Sequence, residues 1–355
     1  MTLAVSIAQG GSNNVTMRNR IINGAMMIDQ RNAGASVSGD NNIFGPDRFR
    51  AASTQNSKFT MQQNAGSVTP PAGFKNYLGI TSSSAYSVLA GDYFLVGQPV
   101  EGFNTSDLGF GAAGASTVTL SFWVRSSLTG TFGGSINNSA YNRSYPFSYT
   151  ISAANTWEQK TVTIAGDTTG TWIGATNGTG LYAWFNLGTG STGSTTANAW
   201  AAGAYYAPTG ATSVVGTSGA TFYITGVQLE AGTTATPFEN RLYGTELALC
   251  QRYYWKTYEL SVVPGTASAN GALGTVCNAS GYAAIPLYNP VSMRVAPTIT
   301  FYNNSTGAAG TWRDGGSTDR TMSTSGNSVG YGFVYNYSSA ANTTLNGQLV
   351  ASSEL

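Results

Sequence analysis

The chain has 355 residues, of which 41% are hydrophobic and 12% aromatic but only 9% charged, against roughly 25% charged in an ordinary soluble protein. Sixteen basic residues balance fifteen acidic ones with no run of Lys and Arg, and there is no histidine. Nucleic-acid and anionic-membrane partners are therefore not expected, and mechanisms that need an imidazole base or a histidine-bound zinc are excluded. Asn, Ser, Thr and 45 glycines carry the solubility, and these residues favour turns and strand surfaces over helix interiors, so the fold class expected is all-β.

The start, Met1-Thr-Leu-Ala-Val-Ser-Ile-Ala8, lacks the basic n-region of a signal peptide, and no stretch is long enough for a membrane span. Neither secretion by a leader nor membrane insertion is expected. Residues 1–20 read as an arm or a single added strand. Residues 21–244 carry alternating segments between Gly, Asn, Ser and Thr clusters, the pattern of an antiparallel β-sandwich. In 117–125, Val118, Leu120, Phe122 and Val124 share one face while Trp123 and Arg125 share the other; 181–187 repeats this, with Tyr182 and Trp184 outward. Shorter strands are expected at 93–96, 147–151, 161–164 and 221–229, the last with a bulge at Gly226. Residues 188–198 and 209–219 read as loops. One short connecting helix is expected over 245–256, capped by Thr245, with Leu247, Cys250 and Tyr254 at helical spacing. Residues 257–355 return to strands, notably 298–302 and 331–337, and form a smaller C-terminal β-domain. Cys250 and Cys277 stand in unlike contexts and make no disulfide framework, as in a reducing cytoplasm.

Trp123, Tyr182 and Trp184 alternate away from the core, and Trp172, Tyr205 and Tyr206 lie in adjacent loops. Such aromatics can stack on the apolar face of a sugar ring while Asn and Gln bind its hydroxyls; equally, they can pack against a neighbouring subunit. Glycosidic hydrolysis needs two carboxylates facing each other across the substrate. Glu101 and Glu158 are the candidates, but nothing in the sequence places them together, and the chain is expected not to be an enzyme and to need no cofactor. Arg18, Arg20, Asp29, Arg31, Asp47 and Arg48 form a charged set in a chain poor in charge. They read either as a surface salt-bridge network or as pairs that fix register in an oligomer. The helix residues Leu247, Cys250 and Tyr254 likewise read as a domain joint or as a subunit contact.

Several phrases resemble a known group. Arg18-Asn-Arg-Ile-Ile-Asn-Gly24, followed by Asp29-Gln-Arg31 and Pro46-Asp-Arg-Phe49, is similar to the recurring start of bacteriophage tail-fibre and appendage structural proteins, with Phe49 where that group usually has Trp. The phrases Ile224-Thr-Gly-Val-Gln-Leu-Glu-Ala-Gly232, Ala235-Thr-Pro-Phe-Glu239, Glu246-Leu-Ala-Leu-Cys-Gln-Arg-Tyr-Tyr254, Met293-Arg-Val-Ala-Pro297 and Glu354-Leu355 match the same group. Residues 118–127, with Trp157 and 161–164, resemble the jelly-roll carbohydrate-binding modules of families 4 and 9. The resemblance implies a virion component made in the bacterial host cytoplasm, a jelly-roll sandwich and a homotrimer. Its arm would contact other virion proteins, and its outer surface would attach to host-surface glycan. A capsid-decorating protein without receptor binding, or a polysaccharide depolymerase, are the alternatives. Modules of this type commonly hold a calcium, but Thr225 and Gly226 stand where an acidic pair would be expected. Asp29 and Glu230 alone are too few oxygen ligands, so no metal is expected.

Overall fold

The structure is a computed structural model that describes residues 17–337 and 339–355; most of the arm read over residues 1–20 lies outside the described residues. The first unit contains β1 (Val37–Ser38), β2 (Arg50–Ser53), β3 (Phe59–Gln63), β4 (Leu78–Ser82), β5 (Tyr93–Glu101), β6 (Val118–Ser126) and β7 (Gly130–Asn138). It continues through β8 (Arg143–Ile151), β9 (Glu158–Ile164), β10 (Thr179–Thr189), β11 (Ser194–Thr195), β12 (Ala201–Ala202), β13 (Ala207–Pro208) and β14 (Thr221–Ala231). Two six-stranded sheets result, one in the order β1-β3-β4-β14-β6-β9 and the other β12-β8-β7-β10-β5-β2, packed face to face as an antiparallel β-sandwich.

Alternation builds the core between them. Val118, Leu120, Phe122 and Val124 of β6 and Leu181, Ala183, Phe185 and Leu187 of β10 are buried in one cluster with Phe94, Phe132, Phe147 and Phe222. The pairing of β14 with β6 slips between Thr225 and Gln228, and Gly226 sits there at φ 61°, so the bulge falls where the sequence placed it. A Cβ at Gly226 would strike the Phe74 ring. Strand β7 was not legible in advance. Its Gly133 and Gly134 are strand interior, where a Cβ would meet the carbonyls of Phe147 and Trp184 respectively.

The helix differs from its expected bounds. It runs over α1 (Tyr243–Gln251) without a side-chain cap, and the residues expected to continue it form β15 (Tyr254–Lys256). Tertiary pairing overrides the helical spacing there: β15 lies against β23 (Thr344–Ser352) in the register Tyr254↔Ser352, and Gln30 donates to the Tyr254 carbonyl at 2.8 Å.

The second unit adds β16 (Leu273–Val276), β17 (Ala283–Tyr288), β18 (Thr298–Tyr302), β19 (Thr311–Asp314), β20 (Asp319–Thr321), β21 (Ser323–Ser325) and β22 (Tyr331–Asn336). Strand β23 is its hub, pairing with β15, β16, β18 and β19. A separate sheet runs β17-β22-β21. Trp255, Phe301, Trp312, Val334, Leu345 and Leu349 are buried together between them. No described helix is long and apolar enough to cross a membrane.

Candidate functional site

Where the two units meet, residues far apart in sequence form a buried charged joint. Asn23 anchors it: its side chain donates to the Ile28 and Asp47 carbonyls at 2.8 and 2.9 Å, and its backbone N–H donates to Glu246. Asp47 accepts from the Gln30 backbone at 2.9 Å and its side chain at 2.6 Å, with Arg31 3.8 Å away. Burial outweighs these partners and pushes the Asp47 carboxyl up to about 6. Arg48 is fully buried, lies 3.6 Å over the Tyr253 ring, donates to the Pro99 carbonyl at 2.7 Å and pairs with Glu354. Arg31 reaches the same Glu354 at 2.9 Å and lies 3.7 Å over the Tyr254 ring. From the other side Arg252 grips Glu101 at 2.6 and 2.9 Å, and the Tyr253 hydroxyl donates to it at 2.6 Å. Ile22, Ile28, Cys250 and Tyr253 fill the space beneath, with Leu247 and Leu355 against them.

This places the residues considered for oligomer contact. Asp47, Arg48, Cys250 and Tyr254 are buried by their own chain, and Leu247 packs beside them. Arg18 and Arg20 lie at the rim, where Arg18 donates to the Pro237 carbonyl at 2.7 Å and Arg20 to Asp107 at 2.5 Å. Glu101 is committed to Arg252 and Tyr253, while Glu158 pairs with Lys160 at 2.6 Å. Asp29 caps the turn at Asn32 and Gly34, and Glu230 accepts from Gln228 and Thr236. Among the described residues no three His, Cys, Asp or Glu side chains converge on one point.

The sandwich aromatics fall into separate places. Tyr182 and Trp184 turn away from the core, as their alternation requires, and stack with centroids 5.5 Å apart and planes 11° apart. Tyr141 stacks on Tyr182 at 4.7 Å, and Tyr206 meets Tyr141 at 5.8 Å and Tyr93 at 4.8 Å. Arg50 lies 5.7 and 5.6 Å over the Tyr182 and Trp184 rings. The rings thus occupy one another's faces, and Trp184, though outward, is only 1% exposed. Tyr205 is tied down beside this file, its N–H donating to the Ser144 hydroxyl at 3.1 Å. Trp172 packs elsewhere, against Phe110 at 4.9 Å and Trp200 at 5.5 Å. Trp123 is on the outer side of the other sheet, opposite Thr225 and Gln159. Tyr141, in the β7–β8 turn at φ 52°, was missed because a turn aromatic has no periodicity to betray its contacts.

A different aromatic face stands open on the C-terminal unit. In β22 the even residues Gly332, Val334 and Asn336 are buried, while Tyr331 and Phe333 are 54% and 44% exposed, as is Tyr337 just beyond at 71%. Across the ladder Tyr331 faces Tyr288, Phe333 faces Pro286 and Ser325, and Tyr335 faces Ala284 and Ser323. Tyr282 and Tyr337 have centroids 5.0 Å apart at 31°, and Tyr335 meets Tyr337 at 5.1 Å and 69°. The tilted rings wall an open groove of about 320 Å³ lined by Tyr282, Ala284, Ser325, Phe333, Tyr335 and Tyr337. The sequence held a signal, an aromatic at every odd position from 331 to 337, but bulky rings in a strand are ordinarily assigned inward.

No family model matches the chain, and no curated protein does. Among solved structures it is similar to the enzymatically active domain of bacteriophage CBA120 tailspike protein 4, at 11% identity over 61% of this chain and TM-score 0.31. It spans only 22% of that tailspike chain. A family 4 carbohydrate-binding module is similar at 14% identity over 59% of this chain and 98% of the module, TM-score 0.29. The family 11 module of a Clostridium thermocellum cellulosomal cellulase is similar at 8% identity over 57% and 98%, TM-score 0.27. The all-β architecture itself rests on the sheets described above.

Proposed function

We propose that the chain is a non-enzymatic structural subunit of a bacteriophage appendage, homotrimeric, that carries a glycan-contacting β-unit on a jelly-roll sandwich. One observation carries this reading. The phrases resembling phage fibre proteins are scattered over more than 330 positions, yet they supply Asn23, Gln30, Arg31, Asp47, Arg48, Glu246, Arg252, Tyr253, Arg294 and Glu354, which meet in or against one joint. Most of the resembling phrases thus take part in coupling the two units, while those over 224–239 hold Asn19 beside β14, which suits a protein that must hold an outer module at a fixed angle. The carboxylates considered for hydrolysis, Glu101 and Glu158, each hold a cation in place.

The reading is tested on purified chain and on particles of the virus that encodes it. A sedimenting mass three times that of the 36.9 kDa chain, together with antibody decoration of tail structures, supports it. Decoration of the head alone replaces it with the capsid-decorating alternative, and reducing ends released from host polysaccharide replace it with a depolymerase.

A further inference from the structure

We propose that the outer face of the β17-β22-β21 sheet is a binding platform for an uncharged polysaccharide, an inference that deepens the glycan-contacting role proposed above. The strand turns the rings of Tyr331 and Phe333 to water, while Gly332, core Val334 and Asn336 turn inward. Aromatic rings around a concave groove with a few polar groups are the ordinary lining of a ligand site. Its three rows, Tyr288–Tyr331, Pro286–Phe333–Ser325 and Ala284–Tyr335–Ser323, contain no charged side chain, so they offer nothing to a sulfated or uronate chain. They offer ring faces for the apolar faces of sugars and hydroxyls for their rims.

Shape and size favour a sugar chain over a second copy of this protein. The tilt of Tyr282, Tyr335 and Tyr337 makes a groove with Ala284 and Ser325 in its lining. Strand rise and spacing give this face an area on the order of 250 Å², well below the roughly 800 Å² that each partner buries in a stable interface. The sandwich file at Tyr182 and Trp184 is the rival location, but its ring faces are already stacked on one another.

The test is affinity electrophoresis of the full chain in gels containing surface polysaccharide from a host strain, galactomannan, hydroxyethylcellulose or, as the charged comparison, alginate. Phe333→Ser and Tyr337→Ser change exposed side chains, and thermal unfolding checks that each still folds. The expected result is retention of the parent chain by at least one uncharged polysaccharide, weakened ten-fold or more in both variants. Retention kept in both variants but lost in Tyr182→Ser overturns the platform and leaves the glycan-contacting role standing. A parent chain retained by none of the gels overturns both, and a fall in sedimenting mass of the variants shows instead a contact between copies.

Discussion

Asp47 gains hydrogen bonds from Gln30 and an ion pair from Arg31, yet its carboxyl is pushed up to about 6 because desolvation outweighs both. A folded-state value above the ordinary 3.8 means that the native chain holds this proton more tightly than the unfolded one. The associated stability is present in full below about 3.8 and is lost as pH rises through 6. Carboxylates held low, such as Asp167 beside Arg143 despite its burial, slope the other way. They are common to parent and variant and cancel in a comparison. The melting temperature of the parent minus that of Asp47→Asn should therefore fall steadily between pH 4 and pH 7, as measured by circular dichroism. The sequence showed that Asp47 and Arg48 belonged to an unusual charged set. It could not show that they are buried, because the partner that allows Arg48 to be buried is Glu354, 306 positions away.

At the level of elements, β23 organises the C-terminal unit through a glycine. Gly347 has no room for a Cβ, which would lie 2.0 Å from the Trp312 ring, and that indole is fully buried with its N–H donating to the Gln348 carbonyl at 2.9 Å. Gly347→Ala must displace the indole or bend β23, and overpacking of this kind costs about 1–3 kcal/mol. Urea unfolding should show the midpoint falling, with tryptophan fluorescence reporting the loss. The same physics explains which strands were legible. Strands β6 and β10 announce themselves because each core position is apolar, whereas β7 is threaded between neighbours so close that Gly133 and Gly134 replace side chains. The helix was recognised but not its ends: it starts at Tyr243, ahead of the expected cap Thr245, and Tyr254 to Lys256 follow the edge of β23 rather than their own spacing. The aromatic face of β22 was hidden for a different reason: its rings lie outward, and Val334 is the one large apolar side chain turned inward.

Across the whole molecule, the joint ties residues of the sandwich to residues of the C-terminal strands through buried ion pairs. Glu354 is the shared anion of Arg31 and Arg48, and Glu354→Gln would leave Arg48 buried without a counter-charge. Removing one partner of a buried pair costs about 3–5 kcal/mol. Calorimetry should accordingly show the parent melting in a single transition and Glu354→Gln in two, the C-terminal unit separating first; a single unshifted transition in the variant would show that the units are not coupled through this residue. The bond between Arg31 and Glu354 spans 323 positions, which has a consequence for synthesis. Translation must reach Glu354 before the Arg31 and Arg48 guanidinium groups find their shared carboxylate, so a product cut short ahead of Glu354 leaves both cations without that partner.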